Sequence, residues 1–223
     1  RSRFLAHTMQ LPEYVYHLAE EANWPAIKAH GLLPADVLIS NALPDGDAEF
    51  KLKRAQRLQH TVLPTGVHIR DQKPMPPTAL ASCLIGLTPP EWYALVNAHV
   101  FFWLEPDRLN RQRAACGARP QVVAVVRTAT LLEHFAHVTF LTPFNVGYAL
   151  RKPAKRCEAT LVPYNVWSSS GWHTETQATG GQPRSRQHKP VELLIRGPVL
   201  RFERFVQSVV RLRAGELFAP NTA

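Results

Sequence analysis

Gln121-Val-Val-Ala-Val-Val-Arg127 is the clearest core strand in this sequence of 223 residues. His99-Val-Phe-Phe-Trp-Leu104 is a second strand, rich in aromatic residues, that we expect to be buried on both faces. Short helices are predicted early in the chain, and strands dominate late. This order favours an α+β fold with mixed or antiparallel sheets and short flanking helices. A doubly wound nucleotide-binding fold is disfavoured, because neither GxGxxG nor a P-loop motif occurs.

The elements on either side of these strands are marked by their turn residues. Tyr14–Glu20 is an alternating, aromatic-rich stretch that predicts a strand. Asn23 is a natural N-cap and Gly31 suits the position just past a helix end, so a short helix is predicted between them. Residues 190–195 predict a late strand, and 200–212 predict either one helical face or a final strand.

The length of the chain fits a single domain over residues 1–223. Within it, residues 168–189 have no apolar period and contain SSSG, TGG and QPRSRQ, so they predict a flexible loop. A loop of about twenty residues inside a compact domain is more often functional or disordered than an idle connection.

Composition points to a folded protein with a polyanionic partner. Apolar residues make up 45% of the chain and charged residues 19%, which excludes a disordered tail or a fibrous protein. The 26 lysines and arginines exceed the 17 acidic residues, giving a formal charge of +9. The excess is concentrated in residues 51–73 and 184–213. The alternative is that this charge serves only solubility.

Other classes of protein lack support in the sequence. Cys83, Cys116 and Cys157 are odd in number and far apart, which favours a reducing compartment and a cytoplasmic location. No run of 18 apolar residues predicts a membrane span, and no signal peptide is recognisable. No metal is expected, because the close pair His134 and His137 has no third ligand at a metal-binding spacing. No GxSxG motif indicates a serine hydrolase.

Three blocks of the chain, in the same order, resemble the DarT-like ADP-ribosyltransferases. The stretch from Tyr16 to Gly31-Leu-Leu33, YHLAEEANWPAIKAHGLL, resembles the family's opening motif, which lines the NAD pocket. Residues 95–108, LVNAHVFFWLEPDR, are similar to its aromatic strand. Residues 191–199, VELLIRGPV, resemble its terminal strand, whose glutamate is catalytic. Ala19 departs from the family's pattern, which has a threonine there.

The resemblance implies an ADP-ribosyltransferase-like core with NAD as co-substrate and assigns roles to individual residues. Glu192 would be catalytic, together with an arginine from a basic stretch, for which Arg54, Arg57 and Arg70 are candidates. The NAD-binding residues would be Tyr16, His17, Asn23, Gly31, Arg54, Phe102 and Trp103. Arginine can neutralise the diphosphate, and aromatic rings can stack on nicotinamide, although Phe102 and Trp103 are equally well explained as core.

The acceptor implied by the resemblance is a base in single-stranded DNA. In this superfamily the loop before the catalytic glutamate recognises the target, which assigns substrate binding to Trp172, His173, Arg184 and Arg186. An antitoxin or immunity partner is also possible for a toxin or antiphage effector. Two alternatives stay open: a non-catalytic basic module that binds nucleic acid, and a transferase that acts on RNA or protein.

Overall fold

The computed structural model of the chain describes residues 10–69, 75–116, 118–150, 153–185 and 187–220. Its strands in these ranges are β1 (Tyr14–Glu20), β2 (Thr61–Val62), β3 (His68–Ile69), β4 (His99–Trp103), β5 (Gln121–Arg127), β6 (Thr139–Thr142), β7 (Val162–Pro163), β8 (Glu192–Arg196) and β9 (Val206–Leu212). Its helices there are α1 (Trp24–His30), α2 (Ala35–Ala42), α3 (Asp47–Arg54), α4 (Pro77–Ala81), α5 (Pro89–Asn97), α6 (Pro106–Ala115), α7 (Thr128–Phe135), α8 (Tyr164–Ser170) and α9 (His173–Thr179).

The main sheet has seven strands in the order β7-β6-β8-β4-β1-β5-β9, and every neighbouring pair is antiparallel. A separate hairpin joins β2 to β3. The predicted α+β class is therefore confirmed, and the main sheet is wholly antiparallel. The final stretch, for which helix and strand were both open, contains strand β9.

Strands β4 and β1 are paired over a much shorter length than their neighbours in the sheet. Strands β1 and β5 are aligned over seven residue pairs and β4 and β8 over five, whereas β1 and β4 share the single pair Tyr16 and Trp103. The four strands β7-β6-β8-β4 and the three strands β1-β5-β9 thus meet at one point. This point is called the junction below.

Burial on both faces explains why the central strands could be recognised. In β5, Val122, Val123, Ala124 and Val126 are at most 1% exposed. One face of the sheet packs into a large core around Phe102 and Leu193, and the other packs around Trp103 and Val191. Strands buried on both faces are continuous apolar runs, which is the pattern that the sequence shows.

The predicted helix after β1 is present as α1. Asn23 and Gly31, which were used to predict its two ends, have roles beyond those of helix caps. Asn23 makes no side-chain cap hydrogen bond. Gly31 has φ +84°, and a Cβ there would lie 2.6 Å from the carbonyl oxygen of Val199. The backbones of Leu32 and Val199 exchange hydrogen bonds of 3.0 and 2.8 Å. Gly31 is therefore required both by its backbone conformation and by the close approach of a second segment.

The predicted loop over residues 168–189 is wrong in its first half. Helix α8 ends at Ser170, and α9 follows over His173–Thr179. The buried face of this region consists of Trp172, Glu175 and Thr179, so two of its three residues are polar. The residues that repeat with the helical period are buried but mostly polar. A search for periodic apolar residues therefore could not detect helix α9.

None of the helices in the described ranges is long and apolar enough to cross a membrane.

Candidate active site

A row of four side chains crosses the sheet at the junction. Tyr16 on β1 is the partner of Trp103 on β4, Trp103 is the partner of Glu192 on β8, and Glu192 is the partner of Thr142 on β6. Directly opposed residues of antiparallel strands present their side chains to the same face. The register therefore brings together three of the predicted site residues, Tyr16, Trp103 and Glu192. This set, with Thr142, is called the junction row.

Glu192 is the titratable member of the junction row. Its carboxyl is 3% exposed and accepts hydrogen bonds from the Thr142 hydroxyl at 2.9 Å and the Val146 N–H at 3.0 Å. Within the described part of the chain, no lysine or arginine forms an ion pair with it. Burial raises the pKa of Glu192 to about 7, although the two hydrogen bonds lower it. This carboxyl can therefore gain or lose a proton near neutral pH.

Arg156 braces the segment that binds Glu192, and sequence reasoning missed it. Its guanidinium is almost fully buried and donates to the carbonyl oxygens of Val146 at 3.0 Å and Tyr148 at 3.1 Å. It also lies over the ring of Phe144, 4.9 Å from the centroid. Its charge and that of Arg108 lower the pKa of Glu192. Arg156 lies in the stretch KPAKR, whose composition is typical of an exposed surface, so no signal in the sequence marked it.

The three arginines predicted for this site have different positions. Arg54 is exposed on α3 and lies 5.3 Å from the ring of Phe50. Arg57 donates to the side-chain oxygen of Asn97, at the end of α5. Arg70 lies outside the described residues. The positive charges that act on Glu192 in the described ranges are those of Arg108 and Arg156, and not those of Arg54 or Arg57.

His17 and Phe102 lie on the opposite face of the sheet from the junction row. Each is the strand neighbour of a row member, and successive side chains of a strand alternate between the two faces. The Nδ1 atom of His17 is 2.8 Å from the carbonyl oxygen of Phe101, so the imidazole bonds β1 to β4 beside the junction. Phe102 is 0% exposed and lies in the large core on that face, which favours the alternative that it is a core residue.

Asn23 holds the β2–β3 hairpin. Its side-chain amide donates to the carbonyl oxygen of His68 at 2.8 Å and accepts from the His68 N–H at 2.7 Å. Asn23 stands at the predicted N-cap position of α1, but its side chain bonds to this hairpin and not to the helix. Asn23 joins the hairpin to the start of α1, and Gly31 allows Val199 to approach the end of α1, so packing explains both residues.

Two of the four residues predicted to contact a target are engaged within the protein. Trp172 is 2% exposed and its indole N–H donates to the carbonyl oxygen of His188, so it presents no free ring to a base. Arg184 makes two hydrogen bonds, of 2.9 and 3.1 Å, to the buried carboxylate of Glu175. His173 is exposed at the start of α9. Arg186 lies outside the described residues.

The segment after α9 is fixed beside the junction row. His188 Nε2 lies 2.8 Å from the carbonyl oxygen of Pro143, and the Val191 N–H donates to the carbonyl oxygen of Thr142. The guanidinium of Arg184 lies 5.6 Å from the centroid of the Phe144 ring. Arg156 contacts the same ring. The segment predicted to recognise a target is therefore bonded to the residues that surround Glu192.

The opposite end of β4 and β8 carries a separate groove of about 390 Å³. It is lined by His99 and Arg196, which are register partners, and by Phe140. Burial lowers the pKa of His99 to about 4, so this imidazole is neutral at physiological pH. The groove includes no residue of the junction row.

The fold and the junction row define an α+β protein with a buried, titratable carboxyl where two parts of an antiparallel sheet meet. The chain belongs to a family of unknown function (DUF7002), whose model matches residues 13–206. No curated protein matches the chain. The family match includes the whole junction row and ends at the first residue of β9.

Proposed function

We propose that the chain is an NAD-dependent ADP-ribosyltransferase that attaches ADP-ribose to a nucleic-acid base, with single-stranded DNA as the first choice of acceptor. The observation that carries this proposal is the junction row, in which Glu192 lies beside Trp103, with Tyr16 on the next strand, and has a pKa near neutrality. The three sequence blocks that resemble DarT-like enzymes supply the same glutamate and the same aromatic strand. A strongly shifted carboxyl pKa is frequent among catalytic acids and bases.

In the proposed reaction Glu192 acts as a general base. The bond between nicotinamide and C1′ of the ribose breaks, and its electron pair leaves with nicotinamide, which becomes neutral. A base nitrogen or oxygen then forms a bond to C1′, and the proton that it loses passes to the ionised carboxyl of Glu192. The carboxylate also stabilises the positive charge that develops on the ribose. The ionised form of Glu192 predominates above its pKa of about 7.

Other residues are assigned supporting roles in this proposal. Tyr16 and Trp103 provide aromatic surface on the same face as Glu192. For the diphosphate we keep Arg70 as a prediction and add Arg108, because its charge acts on Glu192 and its side chain is 36% exposed. Arg156 is a positioning residue that acts through the segment around Val146. His17 positions β1 against β4.

Access to the junction row requires movement of a covering segment. Tyr16, Trp103 and Glu192 are 7, 8 and 3% exposed. A carboxylate and aromatic rings are groups that suit NAD by their chemistry. Because these side chains are buried, the covering segment must open before NAD can bind. Lids that open and close over a substrate are common in enzymes.

The test is incubation of the chain with labelled NAD and separate pools of single-stranded DNA, RNA and protein. We expect release of nicotinamide and a mass gain of one ADP-ribose on DNA, both lost in Glu192→Gln. Glu175→Gln is the matched control, because Glu175 is also a buried glutamate. Transfer only to RNA or protein would replace the acceptor and keep the enzyme class.

Two results would overturn the proposal. Full activity in Glu192→Gln would remove the assignment of this residue. No nicotinamide release with any acceptor pool, together with no stabilisation of the fold by NAD, would remove the enzyme class.

A non-catalytic module that binds nucleic acid is the second candidate. Arg201, Arg204, Arg211 and Arg213 are all exposed near the end of the chain, which favours a phosphate-binding surface. This candidate predicts salt-sensitive DNA or RNA binding without NAD. The two candidates also share a proposed cytoplasmic location, because all three cysteines are free thiols. An antitoxin partner belongs to the first candidate only.

A further inference from the structure

The last described residues of the chain return to the face that carries the junction row. After β9, residues 213–220 form neither helix nor strand. Phe218 in this tail is 3% exposed, and its ring centroid lies 5.2 Å from that of Tyr16 at an interplanar angle of 59°. It belongs to the same apolar cluster as Trp103 and Val191. The tail therefore covers the aromatic end of the row.

Helix α6 holds the tail in this position. The side-chain amide of Asn110 donates to the carbonyl oxygen of Phe218 at 2.9 Å and accepts from the Phe218 N–H at 2.9 Å. Arg113 donates to the backbone carbonyl oxygens of Arg213 and Glu216. The same helix binds the row itself, because Gln112 accepts a hydrogen bond from the indole N–H of Trp103.

The tail is not part of the seven-stranded sheet. It follows an edge strand, and it supplies no residue to any strand of the seven-stranded sheet. It also lies beyond residue 206, where the family match ends. Opening of the tail breaks the hydrogen bonds from Asn110 and Arg113 and the packing of Phe218, but no strand pairing.

We propose that the tail is an autoinhibitory cover. Phe218 packs against the ring of Tyr16 and so blocks the aromatic surface that the proposed function assigns to NAD. This inference rests on the proposed function, because it takes Tyr16 as part of the NAD site. An aromatic side chain against Tyr16 is the kind of partner that a nicotinamide or adenine ring would be. NAD must then displace Phe218, and its apparent affinity falls by the fraction of molecules in which the tail is open.

The experiment compares NAD binding to the full chain and to Phe218→Ala by titration calorimetry. A tail that is closed in about nine molecules of ten weakens apparent affinity about tenfold. We therefore expect Phe218→Ala to bind NAD at least about threefold more tightly, within that tenfold limit. Leu217→Ala is the matched control, since Leu217 is the neighbouring tail residue and is 66% exposed. Its NAD affinity is expected to equal that of the unmodified chain.

A second variant separates the cover from simple packing. Asn110→Ala removes both side-chain bonds to Phe218 and leaves the ring intact, so it should raise NAD affinity in the same direction. Adding a peptide of residues 213–220 to Phe218→Ala should weaken NAD binding again. A packing residue alone would lower the unfolding temperature in both variants without any gain in NAD affinity.

The outcomes distinguish this inference from the proposed function. Tighter NAD binding in Phe218→Ala and Asn110→Ala supports both. Equal or weaker NAD binding in these variants, with binding by the unmodified chain, overturns the cover alone. If neither the unmodified chain nor the variants bind NAD, the proposed function fails and the cover fails with it.

Discussion

Glu192 and Glu175 are both buried glutamates, yet their partners differ in kind. Glu175 on α9 is 1% exposed and receives two hydrogen bonds from the guanidinium of Arg184. Glu192 on β8 is 3% exposed and receives its two bonds from a hydroxyl and a backbone N–H. A cation offsets the desolvation of a carboxylate, whereas neutral donors offset it only in part. The ion pair accounts for the burial of Glu175, whereas burial raises the pKa of Glu192 to about 7.

The two regions are joined through one aromatic ring. Phe144 lies between the guanidinium of Arg184, which binds Glu175, and that of Arg156, which braces the segment bonded to Glu192. The region around Glu175 thus contacts the segment that is bonded to Glu192. The Arg184–Glu175 ion pair therefore lies close to a carboxyl whose pKa is strongly shifted. Groups with strongly shifted pKa values are frequent at functional sites.

The largest expected difference between the two glutamates is in activity. Glu192→Gln should lower the transfer rate by about 10²- to 10⁴-fold, the usual effect of removing a general base. Glu175→Gln should retain nearly the full rate per folded molecule. Single-turnover assays with labelled NAD measure both variants. Similar losses in the two variants would remove the distinction between them.

Stability should respond in the opposite order. Glu175→Gln leaves the guanidinium of Arg184 without its anion, and we expect a loss of about 2 kcal/mol in the free energy of unfolding. Glu192→Gln breaks no ion pair among the residues described, so its cost at neutral pH should be smaller. Urea unfolding of the two variants at the same pH is the measurement. A larger loss for Glu192→Gln would reverse the interpretation.

The pH dependence of stability should carry the signature of Glu192. Its pKa is raised from 4.5 in the unfolded chain to about 7, so the folded state keeps a proton that the unfolded state has lost. Its contribution is therefore complete below 4.5 and is lost as the pH rises through about 7. The slope is at most about 1.4 kcal/mol per pH unit.

Unfolding experiments across this range, in parallel on the unmodified chain and Glu192→Gln, would isolate the effect. The variant should lack the decline because its side chain does not titrate. An equal slope in both proteins would assign the decline to other groups.

Two threonines on β6 give the finest test. Thr142→Val removes a hydrogen bond to the ionised form of Glu192, which should raise its pKa further and move the pH midpoint of activity upward. Thr139→Val removes a hydroxyl bond to the carbonyl oxygen of Phe135 instead. Each variant should lose about 1 kcal/mol of stability. Only Thr142→Val should shift the pH midpoint, and a shift in both would contradict a specific bond.

Much of the strand framework could be predicted, because strands buried on both faces are continuous apolar runs. The strands at Gln121–Arg127 and His99–Trp103 followed from this rule. Helix α9 could not be predicted, because its buried face includes Glu175 and Thr179. Their hydrogen bonds, and not hydrophobicity, permit their burial.

The candidate site was predicted only in part. Tyr16, Trp103 and Glu192 were all chosen from the sequence, and the register places them in one row. His17 and Phe102 were chosen with them, although strand alternation places them on the other face. Arg156 was missed, since its role depends on carbonyl oxygens supplied by residues 146 and 148.

The sequence by itself determined the α+β class and the central strands, because these depend on local periodicity. The choice of Glu192 followed from a resemblance of motifs and stays a prediction. Tertiary structure decided the antiparallel order, the junction between the two parts of the sheet and the choice between buried glutamates. It also decided that Phe218 covers Tyr16, two residues far apart in the chain. Pairing, burial and the charge state of a carboxyl depend on which distant groups come into contact, and hydropathy and motif spacing do not contain that information.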